Sequence, residues 1–180
     1  MTPIEIALGL LLVHGALGAF DTFYNHEWRE RLPSRPEAAT ELALHSGRSW
    51  AFAVMFLGLA GFEWHGLWGR LLLGLVALEY VVTLFDSVVE DRTRTLSAIE
   101  RVNHMLLGLN TGLYAAFIAV EVLARWRLLP TALVPVHHGF LSWLLSACAG
   151  VIVVWAVRDA FASRRQRRAL QVPPQAVRAA

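Results

Sequence analysis

The chain alternates long apolar stretches with short polar ones, and the stretches lack the every-second-residue alternation of half-buried strands. Five apolar runs, over about 3–24, 37–64, 67–90, 98–124 and 136–160, each approach or exceed the roughly 20 residues a helix needs to cross hydrocarbon. Inside lipid every backbone N–H and C=O must be bonded within the protein, and without a barrel's period-two pattern that leaves helices. The pattern predicts an all-α integral membrane bundle of five transmembrane helices. The opening stretch MTPIEIALGLLLVHGALGAF has no basic lead and reads as a first span, not a cleaved leader. Ser34 and Glu37 stand at capping-box spacing with Pro36 in the first turn, which predicts the start of the second helix there, and Ser97 and Glu100 repeat the device for the fourth.

Composition strengthens the membrane reading. Of 180 residues, 56% are hydrophobic and 17% charged, with mean hydropathy +0.49, far outside the range of a soluble domain. All 16 basic residues are arginine, and a formal net charge of +2 offers no basis for a nucleic-acid partner. The arginines are unevenly shared. Arg29, Arg31, Arg35, Arg92, Arg94, Arg158, Arg164, Arg165, Arg167 and Arg168 fall on one side of the bundle, against Arg70, Arg125 and Arg127 on the other. The positive-inside rule then predicts a multi-pass protein of the cell membrane, N-terminus outside and C-terminus cytoplasmic. Residues 1–160 form the five-span domain in this reading, and 161–180 a basic, flexible cytoplasmic tail. A lone cysteine, Cys148, excludes an intrachain disulfide and a CxxC metal motif.

The polar residues are not spread evenly over the spans. Asp21, His26 and Glu27 close the first, Glu41 and His45 open the second, Asp86 and Glu90 close the third, and Glu100 and His104 open the fourth. In an up-and-down bundle all of these come to one level, near the arginine-rich side. Glu41/His45, Asp86/Glu90 and Glu100/His104 are each i,i+4 pairs and share a helix face. A charge at membrane depth is costly unless paired or ligated, so these faces are expected to turn inward. Mixed carboxylate and imidazole donors suit iron, manganese or zinc.

In ligand pattern, spans one to four resemble the four-helix di-metal carboxylate proteins, the ferritin-like di-iron group. Those bundles take a Glu from each of two helices and a Glu-x-x-His motif from each of the other two. The resemblance implies two metal ions, iron first and zinc or manganese as alternatives. Their ligands would be Asp21 or Glu27, Glu41 with His45, Glu90, and Glu100 with His104. The spacing departs from the group's, because both pairs are Glu-x-x-x-His. The HxxxH and HxxHH boxes of membrane desaturases are missing as well.

The function expected on this basis is a metal-dependent oxidoreductase acting on an apolar small molecule, a lipid or quinone, beside membrane lipids and with a redox partner. A zinc hydrolase uses the same donors. Two other classes compete. His45 and His104 start their helices at comparable depth and are candidate axial ligands of a b-type heme. A non-enzymatic ion or proton carrier, or an assembly subunit, would use His14, Glu79 and Asn110 as a polar path to the inner acids. The plainest alternative is an ion network, with Glu90 held by Arg92 or Arg94, and Asp86 or Glu90 by Arg48 or Arg101. His137 and His138, on the opposite side near Glu63 and His65, form a possible outer site.

Overall fold

The computed structural model describes residues 1–171. It is almost entirely helical: α1 (Pro3–Phe20), α2 (Ala39–Gly61), α3 (Leu67–Thr93), α4 (Ala98–Ala124) and α5 (Phe140–Gln171). Four helical segments, Pro3–Arg29, Leu67–Thr93, Ala98–Leu128 and Phe140–Gln171, are long and apolar enough to cross a membrane. α2 is shorter, at 23 residues, and its first half is polar, with Glu41, His45, Ser46, Arg48 and Ser49.

α1 begins with a capping box that the sequence reading passed over. Thr2 Oγ1 accepts from the Glu5 N–H, and the Glu5 carboxylate accepts from the Thr2 N–H. Its buried stripe Ile4, Ala7, Leu8, Leu11 has helical spacing and packs along α4. After Phe20 the helix widens into a π-helical segment, Asp21–Arg29, in which the Glu30 N–H bonds Asn25 five residues back.

The capping box expected at Ser34 does not form. Short 3₁₀ turns, Leu32–Ser34 and Pro36–Ala38, occupy that region, and α2 starts at Ala39 without a side-chain cap. Pro33 and Pro36 favour such tight turns over a continuous helix here. Ser97 does cap α4, its hydroxyl accepting from the Glu100 N–H.

α2 runs along α5, fastened by serine hydroxyls. Ser46 donates to the Ala156 carbonyl, Ser142 to Ala60 and Ser163 to Ala39. Small polar side chains let two backbones approach and bond where water is excluded. The contact does not stop at 160. α5 continues as helix to Gln171, with Ser163 and Gln166 buried, and Gln166 donates to the Leu32 carbonyl. The first part of the expected tail is therefore a docked helix. Residues 172–180 lie outside the described residues.

At the opposite end, two connections meet in a small antiparallel pair, β1 (Phe62–Trp64) with β2 (Leu133–Pro135), in the register Phe62↔Pro135 and Trp64↔Leu133. Gly66, at φ +58°, makes the turn from β1 into α3, a conformation costly for other residues. Trp64 and Trp126 are buried beneath this pair. Gly69 lies against it, and a Cβ there would stand 2.7 Å from the Trp64 carbonyl oxygen and 3.0 Å from Val122. Gly69→Ala should therefore cost about 1–3 kcal/mol in detergent denaturation, whereas Gly74→Ala, with open space around its Cβ, should be neutral or stabilising. Equal behaviour of the two would show this end to be loosely packed.

The interior is divided along the bundle axis. An apolar core with Leu8, Leu11, Phe56, Tyr114, Ile118 and Trp126 fills the end near β1 and β2. At the arginine-rich end a small apolar cluster, Leu32, Ala38, Leu42 and Ala162, sits beside buried acids, imidazoles and asparagines. Large apolar residues such as Leu78, Phe85, Leu109 and Phe161 face outward, the arrangement a lipid surround favours.

Candidate metal centre

The acids and histidines of the first four spans meet inside the bundle. Two groups of donors form, each with its ligating atoms within 4.8 Å of one another: Asp21, His26, Glu100 and His104, and His26, Glu41, His45 and Glu90. Glu90 joins them. One of its oxygens lies 3.9 Å from His45 Nε2 and the other 3.4 Å from His104 Nδ1. Asp21 faces two imidazoles, at 3.4 Å from His26 Nε2 and 3.3 Å from His104 Nε2, while Asn25 donates to its other oxygen.

The π-helical segment explains how the first helix brings two donor side chains inward. At 3.6 residues per turn Asp21 and His26, five apart, would point roughly 140° away from each other. The wider turn brings Asp21, Asn25 and His26 inward together, and all three are buried. Glu27, one residue on, turns the other way and receives the Arg158 guanidinium of α5, 2.7 Å from Nη2. It belongs to neither donor group.

Asp86 is also outside both groups. It receives Arg48 at 2.8 Å and lies 2.9 Å from His45 Nε2, close but without hydrogen-bond alignment. Arg48 reaches on to Glu79 at 3.6 Å, and Glu79 accepts from Thr83 and from the Tyr114 hydroxyl. Tyr114 was not singled out from sequence, although it continues the α4 stripe Glu100, Asn103, Leu107, Asn110 and Thr111. Asn110 is not part of this chain, since its amide donates to the Leu10 carbonyl and ties α4 to α1. His14 stacks on Phe52 and meets Tyr114 edge-on, with its Nδ1 unpartnered.

Arg94, in the short connection between α3 and α4, lies across the cluster. Its guanidinium is 2.9 Å from Glu41, 3.3 Å from Glu90 and 2.7 Å from Glu100. Burial alone would lower its pKa, but the Glu100 and Glu41 carboxylates beside it outweigh that and hold it well above the usual arginine value. Of the four arginines named from sequence as ion-network partners, Arg94 and Arg48 take that place. Arg101 bonds the Leu96 carbonyl.

Compared with family models, curated proteins and solved structures, the chain matches none. What the site can do therefore rests on its own chemistry.

Three features bear on whether this donor set fits metal ions. First, neither oxygen of buried Glu100 has a well-aligned hydrogen-bond donor, even though Oε1 is close to Arg94. His26 Nε2, His45 Nε2 and Asp86 Oδ1 are likewise buried without aligned partners, which is costly for polar groups away from water. Second, the network joins six carboxylates (Asp21, Glu41, Glu79, Asp86, Glu90, Glu100) to two guanidiniums, Arg48 and Arg94. The acids outnumber the arginines by four, a surplus that imidazolium groups or bound cations can balance. Third, the donors are of the mixed carboxylate and imidazole type. The residues fit.

A cavity of about 310 Å³ reaches the cluster from the side, between α1, α2 and α5. Phe52, Phe56, Leu107, Val151, Ile152 and Trp155 give it an apolar wall, while Asp21, His45, Arg48 and His14 contribute its polar surface.

At the opposite end, Glu63 receives Arg125 at 2.7 Å and sits 2.8 Å from His65. Burial would raise its pKa, but these hydrogen bonds dominate and hold it below the usual carboxylate value. His137 is exposed, with Nδ1 accepting from the Gly139 N–H. His138 bonds Ser142 through its backbone only. Among the described residues no donor group of three forms around this pair.

Proposed function

We propose that the chain is a five-span membrane protein, N-terminus outside and C-terminus cytoplasmic, that holds two metal ions, iron in the first place, near its cytoplasmic face and oxidises an apolar substrate from the bilayer. The observation that carries the reading is the convergence of seven buried or half-buried donors from four helices into two overlapping groups. Metals bound there would supply the redox chemistry. The chain's own residues do the rest: Glu90 joins the two groups, Asp86 places its charge beside His45, and the lateral cavity leads an apolar molecule to Asp21 and His45. His26 belongs to both groups and completes one centre at a time, so one set of four and one of three is the natural division.

The heme alternative is less favoured. The Glu90 carboxylate stands within 3.9 Å of both His45 and His104, filling the gap a porphyrin would need. The carrier reading draws support from the run Tyr114–Glu79–Arg48–Asp86–His45, and it requires no metal. Elemental analysis and an absorption spectrum of detergent-purified protein separate the three. The expected result is about two metal ions per chain, as in di-metal bundles, with no Soret band. A folded protein that takes up no stoichiometric metal when offered iron, manganese or zinc sinks the proposal, as does a heme spectrum.

A further inference from the structure

The lateral cavity has a composition that selects a head group. Its two charged lining residues are already engaged, Asp21 by Asn25, His26 and His104, and Arg48 by Asp86 and Glu79. A charged head of either sign would be buried there without a free counter-charge. What the lining offers instead is neutral: the hydroxyls of Thr22 and Ser49 and the rings of His14 and Trp155. His14, 5% exposed, has its Nδ1 without a partner, and the Trp155 indole N–H is buried and unpartnered as well. Hydroxyls, an imidazole N–H and an indole N–H can all donate, so a head with an acceptor oxygen suits the whole set.

The shape adds a second restriction. At about 310 Å³ the space sits at the lower end of small-molecule sites, which run from roughly 300 to 1,000 Å³. It takes a head and the first part of a chain, not a whole lipid. Phe23 and Val151, both on its lining, are 51% and 56% exposed, so the side between α1 and α5 is open toward the surround.

We propose that this cavity binds a neutral amphiphile whose head is a carbonyl or hydroxyl oxygen and whose apolar chain trails outward between α1 and α5. Quinone rings and linear alcohols or aldehydes share this chemistry. Binding needs no metal; only presentation of the head to a metal pair rests on the function proposed above.

Cys148 lines the same cavity and is half-buried, which makes it a reporter. The full chain, purified in detergent and stripped with a chelator, is labelled with an apolar maleimide in the presence of four decyl compounds: a decyl benzoquinone with no free ring position for a thiol to add to, decanol, decanoate and decylamine. The quinone, the alcohol or both should slow labelling about tenfold, and whichever does so identifies the head. Decanoate and decylamine should change it less than about twofold. His14→Leu should raise the half-protecting concentration about tenfold, the effect of losing one hydrogen bond and its partner's solvation. Gly18→Leu places a side chain in open space on the cavity wall and should abolish protection while helicity is kept. Should that variant fail to fold, Ala147→Leu on the exposed part of the lining gives the same arm. Equal protection by all four heads, or none by the neutral ones, overturns the proposal. Because the protein is metal-free throughout, the result is independent of whether the metal reading holds.

Discussion

Arg94→Gln should destabilise the metal-free protein by about 3–5 kcal/mol, the usual cost of removing one partner from a buried ion pair. The guanidinium is 8% exposed and its partners Glu41, Glu90 and Glu100 no more than 2%, so water cannot take over its role. Divalent metal should change this result in a telling way. If the three carboxylates are ligands, a cation replaces the lost charge, and the variant should recover most of its stability and bind metal more tightly than the parent. Denaturation in detergent with and without added iron or zinc measures both effects. An identical loss under both conditions would mean that Arg94 completes a purely structural ion network.

Glu90→Gln is the second large effect. The carboxylate is 2% exposed and touches Arg94 and the imidazoles of both donor groups. Glutamine keeps the shape but has one neutral acceptor oxygen where there were two charged ones. Metal content should fall from about two ions per chain to less than one, with affinity reduced by at least the 10–100-fold seen for outer-shell changes. Glu30→Gln is the control. That residue pairs with Arg35 away from the cluster and should leave metal content untouched. Equal metal loss in both variants, or in neither, would remove Glu90 from its central position.

Much of this arrangement was legible in the order of residues because it rests on regular helices. Glu41 with His45 and Glu100 with His104 lie four apart on α2 and α4, and ordinary helical spacing is enough to aim each pair inward. Asp86 and Glu90 also share a face, but spacing carries no information about depth, and Asp86, one turn away from Glu90, meets Arg48 before it meets a donor group. His26 and Glu27 exchange their expected weight for a different reason. Which neighbour faces inward depends on the π-helical turn, and no feature of DTFYNHEWR announces that turn. The β1–β2 pair was illegible since it joins three-residue segments some 70 positions apart. The docked end of α5 did leave a trace. Ala162, Ser163 and Gln166 make a small, uncharged stripe among the arginines, at helical spacing, and net charge obscured it.

The widened turn at Asp21–Arg29 has a consequence for inheritance of the site. A π-turn equals one residue added to an α-helix without disturbing what lies on either side. In a homologous chain with one residue fewer between Asp21 and His26, the helix would close to its ordinary pitch and hold acid and histidine four apart, still on one face. The gain or loss of that one residue can thus leave both donors in place, and an alignment that penalises the gap would undervalue a chain that keeps them.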